Sequence, residues 1–203
     1  MNLLVIGATG RTGRHLVELA LARGHSVTGL VRRIMPPGRN RNLDFVVGDP
    51  TRAVDLEPIL PRSDAVISCL GQRSRADADL LRNSAAATLD AMTRTNVRRY
   101  LVVSQGLLFP SKNPFIALLR VILGRQVADS TAMEEVICAS DLAWTIVRPP
   151  KLSEGGKTRG YRIKLGSAPE GPWAMQYADL AQFLLDEAEQ GRYPRAIVGI
   201  TSG

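Results

Sequence analysis

Residues 3–13 read Leu3-Leu4-Val5-Ile6-Gly7-Ala8-Thr9-Gly10-Arg11-Thr12-Gly13. Four consecutive aliphatic residues predict a short strand buried on both faces. Three glycines follow at Gly-x-x-Gly-x-x-Gly spacing. Beyond them Leu16, Leu19, Ala20 and Ala22 recur with helical period, predicting a helix over residues 11–23. A glycine pattern carries weight in this strand–turn–helix context. Gly7 permits the tight exit from the strand, Gly10 lets the backbone approach a pyrophosphate, and Gly13 allows close helix–strand packing. The N–H groups over Thr9, Gly10, Arg11 and Thr12, at the positive end of the helix dipole, favour an anion.

The same alternation continues along the chain. Strands are expected over residues 26–31, 45–47, 65–70, 100–104, 144–147 and 196–200. Helices are expected over 53–60, 77–95, 115–123, 127–139 and 177–189, the last with Leu180, Phe183, Leu184 and Ala188 inward. Residues 161–165 form one further alternating stretch, expected as a strand or hairpin at the sheet's end. Strands separated by helices indicate an α/β fold with a parallel sheet covered on both faces, and right-handed crossovers favour a Rossmann-like, doubly wound order. One domain over residues 1–203 is expected, with residues 151–203 contributing an extension on the acceptor side. No internal repeat or linker interrupts it.

The second strand selects the cofactor. NAD-binding sheets usually carry an acid at the end of this strand, on the ribose 2′-hydroxyl. Here Val27-Thr28-Gly29-Leu30-Val31 ends in Arg32-Arg33. Guanidinium groups match a 2′-phosphate, which points to NADPH. Asp49, after Val47-Gly48, either accepts from the adenine amino group or caps the helix near Ala53. The fourth strand ends in Ser68-Cys69-Leu70-Gly71, at the carboxyl edge where open sheets bind ligands, and Gly71 permits backbone contact with the cofactor. Cys69 reads as a small packed residue.

Composition narrows the classes. The chain has 203 residues, 45% hydrophobic and 22% charged, enough for a real core without staples. Two cysteines and two histidines exclude a disulfide framework and a multi-histidine metal centre, and no metal site is expected. The net charge of +7 comes from scattered cations, 22 of the 26 being arginine, with the densest run at Arg32, Arg33, Arg39 and Arg41. No nucleic-acid-binding motif accompanies them, so no nucleic-acid partner is expected and the charge reads as a pull on small anions. No apolar run approaches a membrane span, and the first residues lack the basic start of a signal peptide. A cytoplasmic protein with reduced thiols, no membrane partner, and a monomeric or weakly dimeric state is expected.

These residues resemble an atypical short-chain dehydrogenase/reductase of the NmrA-like NAD(P)-binding group, within it the flavin reductase / biliverdin reductase type. The resemblance runs through Gly7-Ala8-Thr9-Gly10-x-Thr12-Gly13, Leu30-Val31-Arg32, Val47-Gly48-Asp49, Asp64-Ala65-Val66-Ile67 and Leu70-Gly71-x-Arg73. It continues in Ser104-x-x-Leu107-Leu108, Pro149-Pro150 and Tyr177-Ala178-Asp179-Leu180. It implies NADPH, with Thr9, Gly10, Arg11 and Thr12 at the pyrophosphate, Arg32 and Arg33 at the 2′-phosphate, and Asp49 at adenine. It also implies Leu70, Gly71, Ser104 and Pro149 along the ribose and nicotinamide, with Arg73 near the site mouth.

One departure matters. Ordinary members of that superfamily use Tyr-x-x-x-Lys as proton donor and helper, and none of Tyr100, Tyr161, Tyr177 and Tyr193 has lysine four residues on. Registering the helix before Trp144 puts Gln126 and Ser130 at the pair's positions; the flavin reductase relatives tend to carry a histidine at the latter. Alcohol oxidation by the usual route is then not expected. Hydride transfer to a flavin or similar flat, conjugated acceptor survives the loss, because the product charge delocalises and solvent can supply the proton. Ser104 is the candidate catalytic residue, bonding the nicotinamide or the acceptor, or else a hydroxyl satisfied by backbone. Lys151 reads as surface. The alternative function is a non-catalytic dinucleotide sensor acting through a protein partner. An epimerase acting on a nucleotide sugar generally keeps the tyrosine and is disfavoured.

Overall fold

The computed structural model describes residues 1–33, 40–72, 79–155 and 160–203. Strand β1 (Asn2–Ile6) runs up the middle of the sheet, as the aliphatic start requires, with Leu3–Ile6 buried. The glycine turn feeds helix α1 (Arg11–Ala22), which returns the chain to β2 (Ser26–Val31) and then β3 (Leu43–Val47). On the other side of β1 lie β4 (Ala65–Ser68), β5 (Arg99–Val103) and β6 (Ala143–Arg148). These six strands are parallel, and their order is β3-β2-β1-β4-β5-β6. The order reverses between β1 and β4, which opens a crevice at their carboxyl ends.

The C-terminal third completes this sheet. Helix α6 (Tyr177–Gln190) leads into β10 (Ala196–Ser202), which lies parallel to β6. Strand β8 (Tyr161–Leu165) closes the edge, antiparallel to β10, so the alternating stretch is an edge strand. A two-stranded parallel ribbon, β7 (Lys151–Ser153) with β9 (Ala174–Gln176), was not foreseen; three-residue strands carry no periodicity to read.

Alternation along β1 divides the core. Leu3 and Val5 pack with Leu16 and Ala20 of α1 and with Leu180, Phe183 and Leu184 of α6. Leu4 and Ile6 pack on the opposite face with Leu56, with α3 (Leu80–Thr95) through Ala85 and Met92, and with α5 (Gly124–Cys138) through Met133 and Ile137. Each fully buried aliphatic side chain contributes about 1.5–3 kcal/mol. Helix α4 (Pro114–Ile122), begun by Asn113 accepting from the Phe115 N–H, is the exception: Ile116 is buried, while Phe115, Leu118, Val121 and Ile122 are exposed.

Several boundaries move. Helix α2 covers only Ala53–Leu56, because Pro58, without an N–H, stops it, and a 3₁₀ turn (Leu60–Arg62) follows. Strand β4 ends at Ser68 rather than at residue 70, although the Cys69 N–H still bonds the Ile6 carbonyl. Of the helix expected over 77–95, residues 77 and 78 lie outside the described residues. Among the described residues, no helix is long and apolar enough to cross a membrane.

Some of the basic excess is structural. The Glu187 carboxylate, fully buried, takes Arg99 Nη2 at 2.5 Å and the backbone N–H of Tyr193 at 2.8 Å. This pair lies at the amino ends of β5 and β6, away from the crevice, and joins α6 to the sheet.

Candidate functional site

The crevice begins at the first glycine turn. Gly7 has φ +82°, a left-handed conformation that L side chains avoid, and a Cβ there would meet Cys69 C and O at 3.0 Å. The strand exits of β1 and β4 therefore touch, which brings Leu70 and Gly71 beside the turn. A Cβ on Gly13 would sit 2.2 Å from the Gly7 carbonyl oxygen, so only glycine lets α1 start this close to the strand. Gly10 is less constrained: its N–H bonds the Gly7 carbonyl at 2.9 Å, and a Cβ would come no nearer than 3.1 Å to that oxygen. Packing alone demands glycine at positions 7 and 13, and at position 10 a Cβ would crowd the Gly7 carbonyl oxygen.

The helix start is chemically incomplete. Gly10 stands at the cap position of α1 with no side chain to accept from the first turn, and no acidic residue lies in that turn. Its orphan N–H groups and dipole therefore attract an anion, and among the described residues no side chain caps them. Thr12 is buried, and Thr9 and Gly10 are half-buried. Arg11 is exposed, with its guanidinium 4.8 Å above the ring of Tyr177, which is buried at the start of α6. That contact holds a cation beside the mouth of the turn.

The remaining sequence candidates distribute along the same edge. Arg32 and Arg33 are exposed immediately after β2. Asp49, exposed after β3, does not cap α2, which has no side-chain cap. Its Oδ1 accepts from the N–H and hydroxyl of Thr51 at 2.9 and 2.7 Å, because Thr51 lies two residues on and closes first. Those two bonds hold its carboxyl below the ordinary range. Leu70 packs partly into the core, and Gly71 is exposed, with none of the described residues within 4 Å of a notional Cβ. Burial pushes the Cys69 thiol up to about 12, in keeping with a packing role. Arg73 lies outside the described residues, as does Arg39. Lys151 is exposed in β7, on the surface as expected.

Ser104 and Pro149 stand together at the β5–β6 edge. The Ser104 N–H bonds the Val147 carbonyl at 2.8 Å, and the Gly106 N–H bonds that of Pro149 at 2.7 Å. The Ser104 hydroxyl is not satisfied by backbone. It donates to Oε1 of Glu134 at 2.5 Å. Glu134, buried on α5, also takes Arg148 Nε on Oε1 at 3.0 Å and Arg148 Nη2 on Oε2. Arg148 in turn lies 4.7 Å over the ring of Phe109. Gln105 occupies the other flank: its Nε2 donates to Ser130 Oγ at 2.7 Å and to the Gln126 carbonyl at 3.0 Å. Beyond Gly106 a shallow concavity is lined by Phe109, Arg148, Pro150, Pro169 and Trp173, whose indole is 39% exposed.

The sequence matches the NAD(P)H-binding family over residues 7–190. The chain belongs to the NAD(P)H-binding family. A Streptococcus pneumoniae structure called a "putative NADH-flavin reductase" is 25% identical and superposes with a TM-score of 0.82, covering 100% of both chains. A Veillonella parvula short-chain dehydrogenase/reductase in complex with NADP is 18% identical, with a TM-score of 0.81 over 99% of this chain and 94% of that one, and shows the shared fold. Among curated relatives, an uncharacterized Mycobacterium tuberculosis protein is 32% identical over 106 residues, 52% of this chain and 12% of that protein. A photosystem II assembly factor, Ycf39 of Trieres chinensis, is 31% identical over 110 residues, 51% of this chain and 34% of that protein. The chain therefore spans well under half the length of both.

The family's dinucleotide fits what is present. The uncapped turn would hold its pyrophosphate, with Gly10 permitting the approach, and the exits of β4, β5 and β6 would line the remainder. Among the described residues no cluster of ligating side chains could hold a metal ion.

Sequence reading missed Glu134, Arg148, Gln105 and Asp129. A usable signal existed for Glu134: it sits beside Met133 and one turn from Ile137, on the apolar face of α5, where an unpaired carboxylate is costly. Asp129, also buried, accepts from the Leu81 and Arg82 N–H groups at 3.1 and 3.0 Å and from Gln72 Nε2. A carboxylate on α5 thereby caps α3, whose own cap residue, Asp79, contributes no side-chain bond. Asp129→Ala is expected to lower the unfolding free energy by about 1–2 kcal/mol in urea titration, the usual loss for a helix cap. An unchanged midpoint would deny the cap that role.

Proposed function

We propose that the protein is an NADPH-dependent reductase that passes hydride to a flavin or a similarly flat, conjugated acceptor. The observation that carries this reading is the pairing of an anion-seeking glycine turn with Arg32 and Arg33 on the same edge. A 2′-phosphate beside two guanidinium groups is stabilised, and no carboxylate adjoins them in sequence to favour a free 2′-hydroxyl. The pneumococcal neighbour's name specifies NADH, so the preference for NADPH rests on these arginines. In this reading Asp49 retains an open Oδ2 for the adenine amino group, and Leu70, Gly71 and Pro149 line the ribose and nicotinamide.

When bound, the dinucleotide supplies a hydride from nicotinamide C4. The chain's own residues hold and orient the partners. The tyrosine–lysine pair that serves alcohol oxidation has no counterpart: Gln126 and Ser130 stand at its registered positions and are joined to Gln105. A flavin acceptor would take the hydride at N5 and delocalise the added charge over its ring system, and solvent would supply the proton that completes its reduction. The concavity beyond Gly106, where Trp173 is partly exposed, offers an apolar surface on the acceptor side. Purified protein mixed with NADPH and FMN or riboflavin is expected to consume NADPH, followed at 340 nm. Absence of turnover with every flavin and quinone tried would remove the proposal.

A second reading, a non-catalytic dinucleotide sensor that signals to a protein partner, draws support from the similarity to an assembly factor. It predicts tight binding of both NADP⁺ and NADPH, no turnover, and a partner whose affinity depends on the dinucleotide. Equal partner affinity with and without dinucleotide would defeat it.

A further inference from the structure

We infer that the Glu134–Arg148 pair fixes Ser104 as a hydrogen-bond acceptor only, so that Ser104 selects the amide N–H of a nicotinamide carboxamide. The inference rests on reading the crevice as a dinucleotide site and adds a specificity determinant to it.

A serine hydroxyl has one hydrogen and two lone pairs. The Ser104 hydrogen is directed to Glu134 Oε1 at 2.5 Å, a short, charge-assisted contact. Nothing in the network can reverse that direction. A carboxylate accepts only, and Arg148 holds both of its oxygens, through Nε at 3.0 Å and through Nη2. The Arg148 side chain is 13% exposed and that of Glu134 7%, so neither exchanges its partner for water at low cost. Phe109 covers a face of the guanidinium and restrains it further. Backbone geometry fixes the serine as well, through its N–H on the Val147 carbonyl. Ser104 Oγ, itself half-buried at the β5 exit, can therefore offer only its lone pairs to a ligand in the crevice. A ligand atom placed there must be a donor. Nicotinamide carries one, the carboxamide NH₂, next to its reacting carbon. Glu134 and Arg148 touch no ligand in this scheme; they are positioning residues that act through Ser104.

The test is a binding measurement on three proteins by titration calorimetry. The probes are NADP⁺, its 3-acetylpyridine analogue, in which methyl replaces the carboxamide NH₂, and 2′-phospho-ADP-ribose, which lacks the nicotinamide. The unaltered protein is expected to bind the acetyl analogue about 3- to 10-fold more weakly than NADP⁺, the span of one neutral hydrogen bond. Ser104→Ala is expected to bring that ratio close to one. Glu134→Ala gives the same collapse, because the Ser104 hydrogen loses its acceptor and turns toward the carbonyl that both ligands share. All three proteins are expected to bind 2′-phospho-ADP-ribose alike. An equal affinity of the unaltered protein for the two pyridines, or a preference that survives Ser104→Ala, overturns the inference while leaving the dinucleotide site in place. Failure of the unaltered protein to bind 2′-phospho-ADP-ribose overturns the site reading and the inference together. Ser104→Ala keeps the test decisive even where loss of the Glu134 charge disturbs folding.

Discussion

Replacing Gly13 with alanine is expected to abolish dinucleotide binding and to destabilise the fold together. The added methyl would lie 2.2 Å from the Gly7 carbonyl oxygen and 2.9 Å from Ala8 Cα, both backbone atoms that no rotamer change can move. Either α1 withdraws from β1 or the turn opens. Withdrawal loosens Leu16 and Ala20 from the core they share with α6. Overpacking of this kind costs about 1–3 kcal/mol, and here the upper end applies because only backbone can yield. Opening the turn displaces the N–H groups proposed to hold the pyrophosphate, and affinity for the dinucleotide is expected to fall by at least about 100-fold, equivalent to about 2.7 kcal/mol. Gly71→Ala is the contrasting variant. Among the described residues nothing lies within 4 Å of its notional Cβ, so its unfolding free energy is expected to stay within about 0.5 kcal/mol of the parent. Urea unfolding of the two variants measures the difference. A Gly13→Ala protein as stable as the parent, with unchanged affinity, would show that the turn is not packed as described.

The second large effect concerns Arg32 and Arg33. Changing both to alanine is expected to cost about 100-fold in affinity for NADPH and little for NADH. Each charged hydrogen bond to the 2′-phosphate contributes about 1.5–3 kcal/mol, and solvent exposure holds the pair to the lower end. Both side chains are exposed, and no carboxylate neighbours them in sequence to take their place on a ribose hydroxyl. The loss should diminish as salt rises, since screening already weakens the parent's contact. Parallel titrations with the two dinucleotides at low and high ionic strength check it. An equal loss for NADH would mean that the arginines act on something common to both cofactors.

Much of the fold was readable because its signals are local. The aliphatic run of β1, the glycine spacing and the helical period of α1 all lie within residues 2–22, and each carries its own physical cause. The same holds for Leu180, Phe183, Leu184 and Ala188 on α6, all buried as the period demands. The errors came where a single residue or a distant partner decides. Pro58 cut α2 short inside an otherwise helical stretch. Of the two roles open to Asp49, capping α2 is the one that its bonds to Thr51 remove. The networks were illegible for a plainer reason. Ser104 reaches Glu134 across 30 residues and Asp129 reaches Leu81 across 48, and no short-range pattern encodes such pairs. The glycine turn is built from consecutive residues, so its conformation and close packing could be read in advance. The β5–β6 edge is assembled from α5, β5 and β6, and the part played there by Glu134 and Arg148 emerges only from tertiary structure.

The account stands or falls on what the crevice prefers to hold. Titration calorimetry of one protein preparation with NADPH and with NADH compares them directly. Tighter binding of NADPH by about 100-fold, with one site per chain, is the predicted result. Equal affinities, a preference for NADH, or no heat with either dinucleotide would contradict it.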